Sequence, residues 1–191
     1  HYFCEQILEN LIDPDISVDV IHCHDWHAAL IPVLLKAKYG EEECFKNTKT
    51  VLTIHNLAFQ GLFPKERFSK LNIGKEFFTK DTLEFYDQVS FLKGGISLSD
   101  QVTTVSKQYA QEIQTKEFGC GLEKEIQGLD RDVVGIVNGI DKQVWNPQTD
   151  PLIFQNFDAT SFQENKALNK KHLQEQFNLA PSAEKIVLGF V

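Results

Sequence analysis

Four short runs rich in valine, isoleucine and threonine recur along the chain, and the stretches between them carry helical periodicity. The runs are Val18–Cys23, Thr50–His55, Gln101–Ser106 and Val133–Val137. β-Branched side chains are stiff and fit a pleated surface, and runs that stay apolar at successive positions suit strands covered on both faces. The spacing predicts helices over Trp26–Lys38, Val89–Leu98 and Lys107–Gln114. Strands that alternate with helices are satisfied by a parallel sheet with right-handed crossovers, so the expected class is α/β, a parallel sheet flanked by helices. Ligands of such sheets gather beyond the carboxyl ends of the strands. His22 to His27, His55 with Asn56, Ser106, and Asn138 with Gly139 all fall at such ends.

The other segments fill in around this frame. Ser106 is placed to cap the helix that begins at Lys107. Leu62 to Asp87, rich in Phe and Lys, reads as an irregular helical excursion that builds one wall of a cleft. Pro147, Pro151 and an Asp-, Asn- and Gln-rich stretch to Asn165 form a surface loop. Lys166 to Phe177 then reads as a polar helix with Leu168, Leu173 and Phe177 as its sparse apolar side, leading into a buried strand over Lys185–Val191. The expected organisation is therefore one domain over residues 1–138, a hinge and loop over 139–165, and the first helix and strand of a second domain over 166–191. The chain opens at His1, holds no methionine and closes on an apolar run, so both ends are expected to be cut.

Composition excludes several classes of function. A length of 191 residues with 42% hydrophobic is enough to bury a sizeable core. Nineteen basic against 27 acidic residues leave a net charge of -8, the wrong sign for covering a polyanion, so no nucleic-acid partner is expected. No apolar stretch approaches the roughly 20 residues that a bilayer span needs, so no membrane partner is expected either. Cys4, Cys23, Cys44 and Cys120 form no CxxC pair and read as reduced, incidental thiols.

Four motifs are candidates for chemistry. His22 to His27 concentrates three imidazoles and Asp25 at the end of a strand, and an HxH pair can aim alternate side chains into one metal site, as in a metal-dependent hydrolase. The metallo-β-lactamase pattern is HxHxDH, however; here the Asp comes one place early, and no later Cys/His cluster supplies further ligands, so no metal or other cofactor is expected. On the plainer reading His22 is buried within the sheet and His27 starts the next helix, while Asp25 sits where a helix N-terminus and a cleft coincide. His55 and Asn56 come directly off a strand, with Gly61 to turn the backbone; an imidazole and an amide can grip sugar hydroxyls, or can simply close the strand. Lys93, in Phe91-Leu92-Lys93-Gly94-Gly95, lacks phosphate-loop spacing and reads as a helix residue reaching to solvent. Asn138 and Gly139 suit a turn with positive backbone angles.

Taken together, DVIHCHDWHAALIPVLLK, KTVLTIHNLAFQG, FLKGGISLSDQVTTVSKQYAQEI with EFGCGLE, and GIVNGIDKQVWNPQTDP resemble, in order and spacing, the bacterial glycogen synthases and plant starch synthases. ENKALNKKHLQEQFNL resembles that family's first C-terminal-domain helix. The resemblance implies a GT-B glycosyltransferase, in which two Rossmann-like domains close on a nucleotide sugar, with residues 1–138 the later part of its N-terminal, acceptor-side catalytic domain. It also implies transfer of glucose from ADP-glucose to the non-reducing end of an α-1,4-glucan, glycogen or starch, with retention. Asp25 then lines the acceptor side, and His55 stabilises positive charge on the transferring glucose through its carbonyl and fixes a hydroxyl through its ring. Asn138 binds the same sugar, Asn56 and Gln60 are further contacts, and Trp26 supports Asp25 by packing. A UDP-sugar donor is the alternative within the fold. The family's KTGGL-type loop and the Arg, Lys and Glu motifs of its C-terminal domain have no counterpart in this chain, so the chain alone is expected to be inactive. Location follows origin: cytoplasm in a bacterium, plastid in a plant.

Overall fold

The computed structural model describes residues 1–13 and 15–190. The chain divides into two units, His1–Asn138 and Gly139–Val191. The first begins with helix α1 (Tyr2–Leu11) and alternates strand and helix thereafter: β1 (Val20–His24), α2 (Asp25–Ala28), α3 (Leu30–Leu34), β2 (Lys49–Ile54), β3 (Leu62–Pro64), β4 (Glu84–Phe85), β5 (Gln88–Ser90), α4 (Phe91–Leu98), β6 (Gln101–Thr104), α5 (Lys107–Glu112), α6 (Glu123–Gln127) and β7 (Val134–Gly135). Strands β1, β2, β6 and β7 pair in that order, every pair parallel. The expected α/β class is borne out, and all four carboxyl ends lie along one edge of the sheet.

Alternation along the strands decides what is buried. Ile21 and Cys23 of β1, Leu52 and Ile54 of β2 and Val102 of β6 join one apolar cluster with Leu8 of α1, Leu30 and Leu34 of α3, and Leu92 and Ile96 of α4. Burial on this scale stabilises by roughly 1.5–3 kcal/mol for each large side chain. β2 and β6 are buried at successive positions, as expected of strands covered on both sides, but β1 departs from that expectation: Val20, His22 and His24 are exposed in strict alternation with buried Ile21 and Cys23. Period-two alternation is the signature of a strand with one wet face, and β1 is an edge strand here.

The helix expected over Trp26–Lys38 forms in pieces. Pro32 has no N–H with which to reach Ala28, the last residue of α2, and sits instead in the first turn of α3, where a missing donor costs nothing. Ser106 caps α5 as expected, its hydroxyl accepting from the Tyr109 N–H at 2.9 Å. The excursion from Leu62 to Asp87 is not mainly helical: β3, β5 and β4 make a small antiparallel sheet, with short 3₁₀ segments at Lys65–Leu71 and Lys75–Phe77. Lys93 does not reach to solvent. It is buried, with its ammonium donating to the carbonyls of Lys80 and, at 2.7 Å, Glu84, and pairing with Glu125 at 3.4 Å. An ammonium needs several acceptors when desolvated, and these three tie the excursion to α4.

The second unit is built around α7 (Phe162–Gln176), which starts four residues earlier than expected. Asp158 fastens its approach: one carboxylate oxygen accepts from the N–H and hydroxyl groups of both Thr160 and Ser161. Those bonds hold its carboxyl well below the usual carboxylate range. Residues 185–190 form no strand, and Ile186, Leu188 and Phe190 are exposed. A strand needs a neighbour for its backbone groups, and no described strand lies beside this segment; Val191 lies outside the described residues. Gly139 does not take a positive φ, in contrast to the turn read from Asn138-Gly139.

Candidate functional site

Asp25 and His55 lead out of adjacent strands, β1 and β2, whose register sets His24 beside Thr53. The neighbouring ends therefore meet. Asp25 Oδ1 accepts from the backbone N–H of His55 at 2.7 Å, a charge-assisted bond of the stronger kind. To reach it, Asp25 takes a left-handed backbone, φ 54°, which costs a non-glycine residue about 1–2 kcal/mol. Aspartate tolerates that region better than most side chains, and the strain is concentrated at the strand-to-helix junction.

A second link joins the same strand ends. His24 Nδ1 lies 2.9 Å from His55 Nε2. Behind it the His22 ring lies against that of His24, centroids 4.3 Å apart and planes tilted by 33°, while His22 Nε2 bonds the Thr53 hydroxyl at 2.7 Å. Thr53 in turn shares a 2.6 Å bond with the buried hydroxyl of Thr103. Contrary to the plainer sequence reading, His22 is therefore on the open face of the sheet and not buried within it. Loss of water around the ring, then the neighbouring imidazoles of His22 and His55, hold the His24 pKa below its ordinary value, with Asp25 pulling the other way.

Trp26 follows Asp25 and lies half-buried against the glycine that ends the next loop. Gly61 has φ 61°, and a Cβ there would stand 2.5 Å from Trp26 Cε3. The indole also meets the rings of His27, at 4.0 Å between centroids, and Phe63, at 6.1 Å. Asn56 closes the loop: its Oδ1 accepts from Ala58 N–H at 3.0 Å, an Asx turn. Gln60 is buried, not presented at the surface, and its Nε2 donates to the Cys120 carbonyl at 2.9 Å. Cys120 and Gly121 both have positive φ, 50° and 84°, so the amide braces a tightly folded loop.

Asp25, His55, Trp26, His24 and Asn56 are thus brought together at the ends of β1 and β2. Asn138 is not joined to them by a hydrogen bond among the described residues. It lies exposed three residues beyond β7, whose neighbour β6 stands between it and β2. No group of three or more His, Cys, Asp or Glu among the described residues is arranged to hold a metal ion, and no described helix is long and apolar enough to cross a membrane. Two features escaped the sequence reading. His24 was visible only as part of an HxH pair, whose alternation already puts both rings on one face. Phe59, 63% exposed four residues after His55, offers a flat apolar ring to solvent, its N–H held on the Asn56 carbonyl.

The chain matches the family described as starch synthase catalytic domain over residues 1–128. It is 47% identical, over all of its length, to a glycogen synthase of Caldicellulosiruptor bescii and 49% to one of Caldicellulosiruptor saccharolyticus, covering 40% of each. A glycogen synthase of Bacillus cereus is 44% identical over the same extent. Among solved structures, the catalytic domain of starch synthase IV from Arabidopsis thaliana, bound to ADP and acarbose, is 34% identical and superposes with a TM-score of 0.78 over 96% of this chain and 38% of that one.

Proposed function

The chain belongs to the family of starch synthase catalytic domains, and on that premise we propose that the protein carrying it transfers glucose from ADP-glucose to the non-reducing end of an α-1,4-glucan with retention. The resemblance read from four collinear segments is borne out by that membership. Because the chain spans about 40% of the length of the curated relatives it matches, the activity is assigned to the whole protein, and the 191-residue chain alone is expected not to turn over.

The observation that supports the role of these residues is the strained Asp25, held left-handed with one carboxylate oxygen on the His55 N–H. That bond fixes the peptide that enters His55 before any sugar arrives, and the turn closed by Asn56, through Ala58 N–H on its Oδ1 and Phe59 N–H on its carbonyl, restrains the chain beyond it and so the swing of the His55 carbonyl. A preset carbonyl dipole stabilises positive charge developing on the transferring glucose without reorganising. The second carboxylate oxygen of Asp25 is assigned to a hydroxyl of the incoming glucan end, and Phe59 to the apolar face of a sugar ring. Asn138 contributes a hydroxyl contact to the transferring glucose. Gln60 enters as a brace for the Cys120 loop, and Asn56 as the closure of the His55 turn with its NH₂ left for a hydroxyl. The ADP moiety and the glucan are the partners this reading requires, supported by the ligands of the Arabidopsis structure. The location follows as cytoplasm for a bacterial source or plastid for a plant one.

The test uses the intact protein and incorporation of labelled glucose into glycogen, with ADP-glucose and UDP-glucose in competition. ADP-glucose should be the preferred donor. Asp25→Asn keeps both the tolerance for a left-handed backbone and an acceptor for the His55 N–H, so it should fold, yet lower kcat by about 10- to 100-fold through loss of the charge. Unchanged turnover in Asp25→Asn would overturn the role of Asp25, and a preference for UDP-glucose would replace the donor.

A further inference from the structure

The His24–His55 contact has a consequence for which atom of His55 a ligand can meet. Two ring nitrogens 2.9 Å apart share one proton, so one ring donates and the other accepts. Suppose the proton sits on His55 Nε2. His24 Nδ1 is then bare and its own proton is on Nε2, so both rings adopt the commoner neutral form of a histidine side chain. The reverse arrangement puts the proton on His24 Nδ1 and forces His55 to carry its proton on Nδ1, so both rings take the rarer form at once. The first arrangement is the one with no tautomer cost.

The surroundings hold His24 in place for this. Its far side is covered by the His22 ring at 4.3 Å, and His22 is itself pinned through Thr53 to Thr103 on the third strand. A row of tilted imidazoles fixed at one end thus leads to His55, while Asp25 is engaged with the His55 backbone and hydrogen-bonds neither ring. We propose that His24 is a positioning residue: it accepts the Nε2–H of His55, so that His55 presents a bare Nδ1 to the ligand as a hydrogen-bond acceptor. Resting on the assignment of the His55 ring to a sugar hydroxyl, this deepens it: the hydroxyl must be the donor, and a sugar lacking that hydrogen loses the contact.

The experiment is nitrogen NMR of the intact protein with ¹⁵N-labelled histidine rings near pH 8, joined to kinetics of two variants. The expected spectrum shows a proton attached to His55 Nε2 with a scalar coupling across to His24 Nδ1. His24→Ala abolishes the coupling and lowers kcat/KM by about five- to tenfold, the worth of one positioning hydrogen bond. His24→Asn, whose Oδ1 occupies nearly the place of Nδ1, keeps the His55 Nε2–H protected and restores most of the rate. A proton found on His24 Nδ1, a freely averaging pair of rings, or an asparagine variant no better than alanine overturns the proposal. Glucan extension by a wild type in which the proton sits on His24 would leave the transferase reading intact. A shared proton on His55 Nε2 in a wild type that extends no glucan would sink the transferase reading while leaving the ring pairing.

Discussion

Gly61 is where the site depends most sharply on a missing side chain, and Gly61→Ala tests it. Its φ of 61° costs an alanine about 1–2 kcal/mol. The new methyl would also stand 2.5 Å from Trp26 Cε3 and 2.9 Å from Cδ2, so the indole must retreat by roughly 1 Å to restore ordinary contact. Overpacking of that kind costs about 1–3 kcal/mol. Together the two terms predict a loss of about 2–5 kcal/mol, a large share of the 5–15 kcal/mol that holds a typical domain. Because Trp26 follows Asp25 directly, its displacement should also loosen the bond from Asp25 to the His55 N–H. The assay is urea unfolding of the 191-residue chain followed by Trp26 fluorescence in a Trp145→Phe background, these being the two tryptophans of that chain. Gly139→Ala serves as the control, since a Cβ there meets nothing within 4 Å and no positive φ is imposed; it should change stability by less than about 0.5 kcal/mol. A Gly61→Ala protein as stable as wild type, with unshifted Trp26 emission, would refute the contact.

Three further expectations follow from groups outside that loop. Lys93→Met keeps the aliphatic stem but strands two carbonyls and Glu125, and should cost about 2–4 kcal/mol in urea unfolding; a change below about 0.5 kcal/mol would show that Lys93 does not tie the excursion to α4. Folding lowers the Asp158 pKa, so its contribution is complete above the ordinary 3.8 and fades as the pH falls toward the folded value; Asp158→Ala should speed amide exchange at Thr160 and Ser161 at neutral pH, and equal exchange would contradict the knot before α7. Folding also lowers the His24 pKa, so protonation favours the unfolded chain: the His24 contribution is whole above 6.5 and declines as acid carries the pH through the folded value. Urea midpoints measured between about pH 7.5 and 5.5 should therefore fall less in His24→Asn than in wild type, and parallel declines would argue against the imidazole cluster.

How much of this was legible without coordinates depends on the range of the interaction. The four parallel strands and the cap at Ser106 were readable because β-branched runs and a hydroxyl before a helix act locally. The small antiparallel sheet was not, since Leu62–Pro64, Glu84–Phe85 and Gln88–Ser90 are too short to show any period and exist through pairing with one another. Lys93 was misread for a similar reason. Nothing near it in sequence discloses that the Lys80 and Glu84 carbonyls wait for its ammonium, because those acceptors are supplied by the fold of the excursion.

The site divides along the same line. Asp25 and His55 stand out in sequence because each follows a strand, yet the bond between them is a product of register: β1 and β2 must pair with Val20 opposite Lys49 for the two ends to coincide. A slip of one residue would carry His24 away from His55 and turn Ile21 and Cys23 out of the core together. The burial of those two side chains therefore selects the register that joins the two imidazoles. The alternation that read as an ambiguous HxH pair thus has two physical outcomes at once. Its buried half specifies the pairing, and its exposed half, His22 and His24, becomes the row of imidazoles that reaches His55.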